Sequence, residues 1–163
     1  MNNDRLAAIA GLTAPGMDYE IVPGEVWGRA CRMFKNAPPT LRDLYQAASS
    51  DETFLVFEDE RYTFAETNDR VAQIANILID QFGVQKGDRV AISMRNFPEW
   101  VFAFNAATSI GAIAVAMNSL WLSEEMEFGL KDSGAKVLFA DQERLDWLAP
   151  VRESLDLEVV SVR

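Results

Sequence analysis

Apolar and polar positions sort the chain into an α/β core with a less regular leader. From 83 to 141, apolar runs alternate with helical patterns: 89–94 (RVAISM), a helix over 98–110, 112–117 (AIAVAM), a helix over 124–133 and 136–140 (KVLFA). The runs show no alternation, which predicts strands buried on both faces of a sheet. Gly83, Gly111 and Gly134 close the helical patterns, where a left-handed residue lets the chain re-enter the sheet. A short helix over 142–150 and a fourth strand over 158–162 continue the alternation. The predicted class is α/β, a mostly parallel sheet with helices on both faces.

Upstream, Thr40 is placed to cap a helix whose stripe is Leu41, Leu44, Tyr45 and Ala48. A β-hairpin over 54–63 turns at Glu58-Asp59-Glu60 and feeds a helix with the capping-box pair Thr63 and Glu66. That helix carries the stripe Val71, Ile74, Ala75, Leu78 and Phe82. Within the core, Asn96 and Glu99 repeat the capping-box spacing around Pro98, and Ser123 is the expected cap before Glu124 and Glu125. Trp100, Val101, Phe104, Ala107, Thr108 and Gly111 are the expected inner face of the 98–110 helix, with Ala103, Ala106 and Ala107 allowing close approach to the sheet.

Residues 1–39 carry Gly11, Pro15, Gly16, Pro23, Gly24, Gly28, Pro38 and Pro39, which predicts an irregular arm with one short helix over 4–10 stopped by Gly11. Trp27, Met33 and Phe34 indicate that this arm packs on a surface; a membrane contact is the alternative. The expected organisation is residues 1–50 as an arm and first helix packing on the core, and 51–163 as an α/β subdomain.

Composition narrows the chemistry. With 163 residues, 49% of them hydrophobic, the chain can bury a core. A net charge of -10, with no basic cluster interrupting the acidic surplus, argues against docking on nucleic acid or an anionic membrane. One cysteine, Cys31, forms no internal disulfide, and the N-terminus lacks a secretory pattern, so a cytoplasmic location is expected. No apolar run approaches the roughly 20 residues of a membrane-spanning helix. The absence of histidine excludes histidine-based hydrolysis by this chain acting alone, and one thiol cannot build a structural zinc site.

Ligands of open parallel sheets bind beyond the carboxyl ends of the strands, which places Arg95-Asn96, 118–121 (Asn118, Ser119, Leu120, Trp121) and Asp141-Gln142 on one rim. Each also has a plain structural account: Asn96 and Ser123 as caps, Asn118 and Asp141 as turn formers, Trp121 as core cover. Neither glycine-rich phosphate motif occurs, and Gly83–Gly87, with Lys86, follows a helix rather than a strand. The acidic pairs Glu58/Glu60 and Glu124/Glu125 suit a solvated turn and a helix start. No residue is assigned as catalytic or metal-binding, and the cofactor-binding residues are unknown.

Several blocks nevertheless resemble one family: 61–66 (RYTFAE) with the helix to Leu78, 84–91 (VQKGDRVA), 96–100 (NFPEW), 111–118 (GAIAVAMN), 123–126 (SEEM) and 132–141 (DSGAKVLFAD). From about Phe34 onward they look like the N-terminal part of the AMP-forming acyl-CoA synthetases, within the adenylate-forming superfamily of firefly luciferase and nonribosomal adenylation domains. Asn118 to Trp121 and the long arm look most like fatty-acid or related carboxylate–CoA ligases; Ser119 departs from the proline common there. The resemblance implies a carboxylic acid substrate that attacks ATP to give an acyl-adenylate, which CoA then captures, with Mg2+ on the phosphates. The family's Ser/Thr/Gly-rich loop ending in lysine, ribose aspartate and C-terminal catalytic lysine have no counterpart here, so no catalytic residue is carried over. The resemblance therefore implies a truncated piece of a longer enzyme, inactive alone and binding none of ATP, Mg2+ or CoA tightly. Surface exposed by truncation would promote self-association. The alternative is a free-standing binding or regulatory module on the same fold.

Overall fold

A computed structural model describes residues 3–163 and divides into two compact units, Met1–Pro39 and Thr40–Arg163. The first unit contains α1 (Asn3–Leu12) and an antiparallel hairpin of β1 (Ile21–Val26) and β2 (Arg29–Phe34), in which Ile21 faces Phe34 and Val26 faces Arg29. The expected irregular arm is thus corrected. The helix continues through Gly11, and the hairpin accommodates Pro23 and Gly24. In a two-stranded ribbon alternate N–H groups point away from the partner, so a proline need not break the ladder. Trp27 and Gly28, at φ 51° and 76°, supply the two left-handed residues of a tight hairpin turn.

The second unit opens with α2 (Leu41–Ala47), capped as expected by Thr40, whose Oγ1 accepts from the Asp43 N–H at 3.2 Å while Asp43 accepts from the Thr40 N–H at 3.1 Å. The hairpin β3 (Thr53–Phe57) and β4 (Glu60–Thr63) follows and runs directly into α3 (Phe64–Asp80). Thr63 is both the last strand residue and the helix cap, in a reciprocal pair with Glu66 at 2.8 and 3.1 Å. The tyrosine of α2 ties these pieces together, with its hydroxyl 3.2 Å from Thr108 Oγ1 and its carbonyl accepting from Asn68 at 3.2 Å.

The core is a four-stranded parallel sheet in the order β6-β5-β7-β8, from β5 (Arg89–Ser93), β6 (Ile113–Ala116), β7 (Val137–Asp141) and β8 (Glu158–Val162). Between the strands lie α4 (Pro98–Ser109), α5 (Ser123–Ser133) and α6 (Gln142–Leu148), the last extended by a 3₁₀ turn over Ala149–Ser154. The two central strands are buried as their unalternating sequences predict. One face of the sheet presents Val90, Ile92, Val137 and Phe139 to α3 and α4; the other presents Ala91, Leu138 and Ala140 to α5 and α6. Gly83, Gly111 and Gly134 all take positive φ, 61°, 78° and 60°, at the helix exits.

Two expected caps and one expected face are corrected. The cap of α4 is Phe97, not Asn96: proline favours the first helical position, so Pro98 fixes the preceding residue as the cap and holds it extended at φ -91°, ψ 158°. The cap of α5 is Leu122, whose N–H donates to Glu125 at 3.0 Å. Ser123 is inside the helix and donates its hydroxyl to the Trp147 carbonyl at 2.5 Å. The most buried face of α4 is Phe102, Ala103, Asn105, Ala106 and Ala107, with Trp100, Val101 and Phe104 only partly covered. Alanines approach the sheet more closely than aromatics can, and a helix apolar on nearly every side carries no stripe from which the facing could be chosen.

Candidate functional site

The strand order creates one place where a ligand crevice is expected. From β5 the chain leaves to α4 on one face, and from β7 to α6 on the other, so connections diverge between neighbouring strands at their carboxyl ends. The structure brings all three expected rim segments together there.

Asp141 is the hub. It ends β7 and caps α6, accepting from the Arg144 N–H at 3.1 Å, while its second oxygen accepts from the Arg95 N–H at 2.9 Å across the crevice. Arg144 has no solvent exposure. Its Nη1 donates to both Asp141 oxygens at 3.2 Å and to Glu143 at 2.6 Å, while Nε and Nη2 converge on the Ser119 carbonyl at 2.8 and 2.6 Å. The guanidinium also lies 4.7 Å from the Trp147 ring centre. The loops leaving β5, β6 and β7 are therefore fixed by one buried ion pair. The Asn118 side chain accepts from the Leu120 N–H at 3.0 Å, a local turn that holds the adjoining loop.

Arg144 and Glu143 were not singled out from sequence. The available signal was the spacing: an aspartate ending an apolar strand with an arginine three residues into the next helix can close on itself. Ser93, beside Ala140 in the sheet register, adds a fully buried hydroxyl without a hydrogen-bond partner among the described residues.

The Asp141 and Arg144 charges are committed to each other and to the backbone. Arg95 is half-exposed and only 3.6 Å from Glu143, and Gln142 is bonded to Asp146 at 2.7 Å. Among the described residues no group of three acidic or cysteine side chains is placed to hold a metal ion. An exposed arginine paired with an acid, with no metal-holding group among the described residues, does not fit a nucleoside triphosphate and its magnesium.

A second charged cluster lies at the end of β8. Arg163 pairs with Glu60 at 2.8 Å and Glu99 at 3.0 Å, and lies 4.9 and 5.2 Å from the Phe57 and Phe97 ring centres. The hydrogen bonds from Arg163, then Tyr62, hold Glu60 below its ordinary carboxylate value; the bond to Glu60 raises the Tyr62 hydroxyl. Beside this cluster is an open apolar cleft of about 240 Å³ lined by Leu55, Phe57, Phe97 and Trp100 among others. No helix among the described residues is long and apolar enough to cross a membrane.

Residues 44–162 match the family model for AMP-binding enzymes. Over 96 residues the chain is 35% identical to 4-coumarate–CoA ligase 3 of Arabidopsis thaliana, covering 59% of this chain and 17% of that protein. Over 93 residues it is 36% identical to a crotonobetaine/carnitine–CoA ligase of Salmonella paratyphi A, covering 54% and 18%. The anthranilate CoA ligase AuaEII, solved with anthranoyl-AMP, superimposes with a TM-score of 0.72 at 30% identity, over 76% of this chain and 25% of that one. The matched region is less than a fifth of each curated relative's length.

Proposed function

Because the chain belongs to the AMP-binding enzymes, the adenylate-forming acyl-CoA synthetase superfamily, we propose that it forms the N-terminal scaffold of an ATP-dependent carboxylic acid–CoA ligase. The observation that carries this reading is the family match across nearly the whole second unit. In the proposed reaction a carboxylate displaces pyrophosphate from ATP to give an acyl-adenylate, and the CoA thiol then releases AMP. The rim of this chain does not fit the triphosphate, so no catalytic step is assigned to its residues. Their part is to hold three loops in register, so that groups supplied from further sequence meet a rigid edge. We favour a fatty acid as the substrate class, from the resemblance of 118–121 and the leader, and a cytoplasmic location.

The test is carboxylate-dependent ATP–pyrophosphate exchange. Exchange is expected from a protein in which this chain continues into the remainder of a ligase, and not from residues 1–163 alone. Exchange by the 163-residue chain at comparable rate would overturn the scaffold assignment; none from the longer protein with any carboxylic acid would overturn the ligase reading.

A further inference from the structure

The hairpin tip has a feature unexplained by the hairpin itself. Trp27 is 99% exposed and sits at φ 51°, where asparagine or glycine is favoured and a bulky side chain is strained. Neither packing nor turn chemistry calls for tryptophan there, and an exposed, strained aromatic is the kind of local conflict that marks function.

The surrounding charge is also uneven. Residues 1–39 hold four basic and four acidic side chains, so the whole surplus of -10 lies in 40–163. From 26 to 35 the chain contains Arg29, Arg32 and Lys35 and no acid. Lys35 is paired with Glu20 at 2.9 Å, whereas Arg29 and Arg32 are exposed and form no ion pair among the described residues. The whole-chain charge that argued against membrane docking concealed this local excess.

We propose that the β1–β2 hairpin contacts an anionic lipid surface, entering the headgroup layer tip first at Trp27. The indole suits the boundary between headgroups and acyl chains, and an arginine can lay its stem along apolar surface while its charge stays among phosphates. Val26, 47% exposed, adds apolar area next to the tip. Strand alternation puts Arg29 and Arg32 on opposite faces of the ribbon. Arg29 brings an exposed positive charge beside the aromatic tip, a charge complementarity that favours an anionic lipid layer. Arg29 stands about 7 Å along the strand from Trp27, at headgroup depth, and Arg32 about 17 Å away. Glu25 is the opposing charge near the tip and limits affinity. This inference is independent of the ligase reading.

The experiment is co-sedimentation of the 163-residue chain with phosphatidylcholine vesicles, with and without phosphatidylserine, at low and physiological salt. Binding is expected only with phosphatidylserine, weakening as salt rises, with a blue shift in tryptophan emission. Trp27→Asn, which suits the left-handed turn and so preserves the hairpin, is expected to abolish the shift although Trp100, Trp121 and Trp147 remain. Arg29→Gln is expected to weaken binding about fivefold, with Arg32→Gln, further from the tip, adding less. Absence of binding to anionic vesicles, or unchanged binding by Trp27→Asn, overturns the proposal. So does Trp27-dependent self-association without vesicle binding, which would assign the tip to a second copy.

Discussion

Arg144 shows how a single residue organises the rim. A guanidinium without solvent access is costly unless it is paired and hydrogen-bonded, and here each of its three nitrogens donates, to Asp141, Glu143 or the Ser119 carbonyl. Removing it leaves Asp141 as a buried anion and frees the loop after β6. Arg144→Ala is therefore expected to cost about 3–5 kcal/mol in urea unfolding, with Arg144→Met costing less because it refills the volume. Arg95→Ala, at an exposed pair 3.6 Å long, is expected to cost less than about 1 kcal/mol. Equal costs for Arg144→Ala and Arg95→Ala would contradict the assigned roles. Of these residues the sequence pointed to Arg95 and Asp141 through the carboxyl-end rule, but not to Arg144. A charged residue near a helix start reads as solvated surface until the fold buries it.

At the scale of elements, legibility followed the strength of local chemistry. Thr40 and Thr63 were recognisable caps because each has an acid three residues on and an apolar stripe behind it, and both form reciprocal pairs in the structure. The strands β5 and β7 were legible because a central parallel strand has no polar face. The facing of α4 was not, because a helix that is apolar nearly all round has no stripe to read. Asn96 and Ser123 misled for a related reason: both are good capping types, and the neighbouring Pro98 and Glu125 decide the boundary instead. The β1–β2 hairpin was hidden by Pro23, Gly24 and Gly28, which read as breaks although edge geometry and a left-handed turn accommodate them.

At the scale of the molecule, charge and fold give a defined pH response. Hydrogen bonds from Arg163 to Glu60, from Lys136 to Asp88 and from Lys131 to Glu127 are the leading causes holding these carboxyls below their ordinary values of 4.5, 3.8 and 4.5. A lowered folded-state value contributes stability above the unfolded value, and that contribution is lost as pH falls through the folded one. With no histidine, side chains are expected to leave stability flat from about pH 6 to 8, then falling below about pH 4.5. Urea midpoints across pH check this; Glu60→Gln and Asp88→Asn should each make the acid fall shallower. A midpoint that changes steeply near pH 6.5 would contradict it.

On the proposed reading this unit supplies an ordered rim and leaves the nucleotide to groups from further sequence. The most direct measurement is titration of the 163-residue chain with Mg-ATP while following the backbone amides of Arg95, Leu120 and Arg144 by NMR. No saturating shift is expected at millimolar nucleotide. Saturable shifts at those amides, with a dissociation constant in the micromolar range, would contradict that reading and place a nucleotide on this rim.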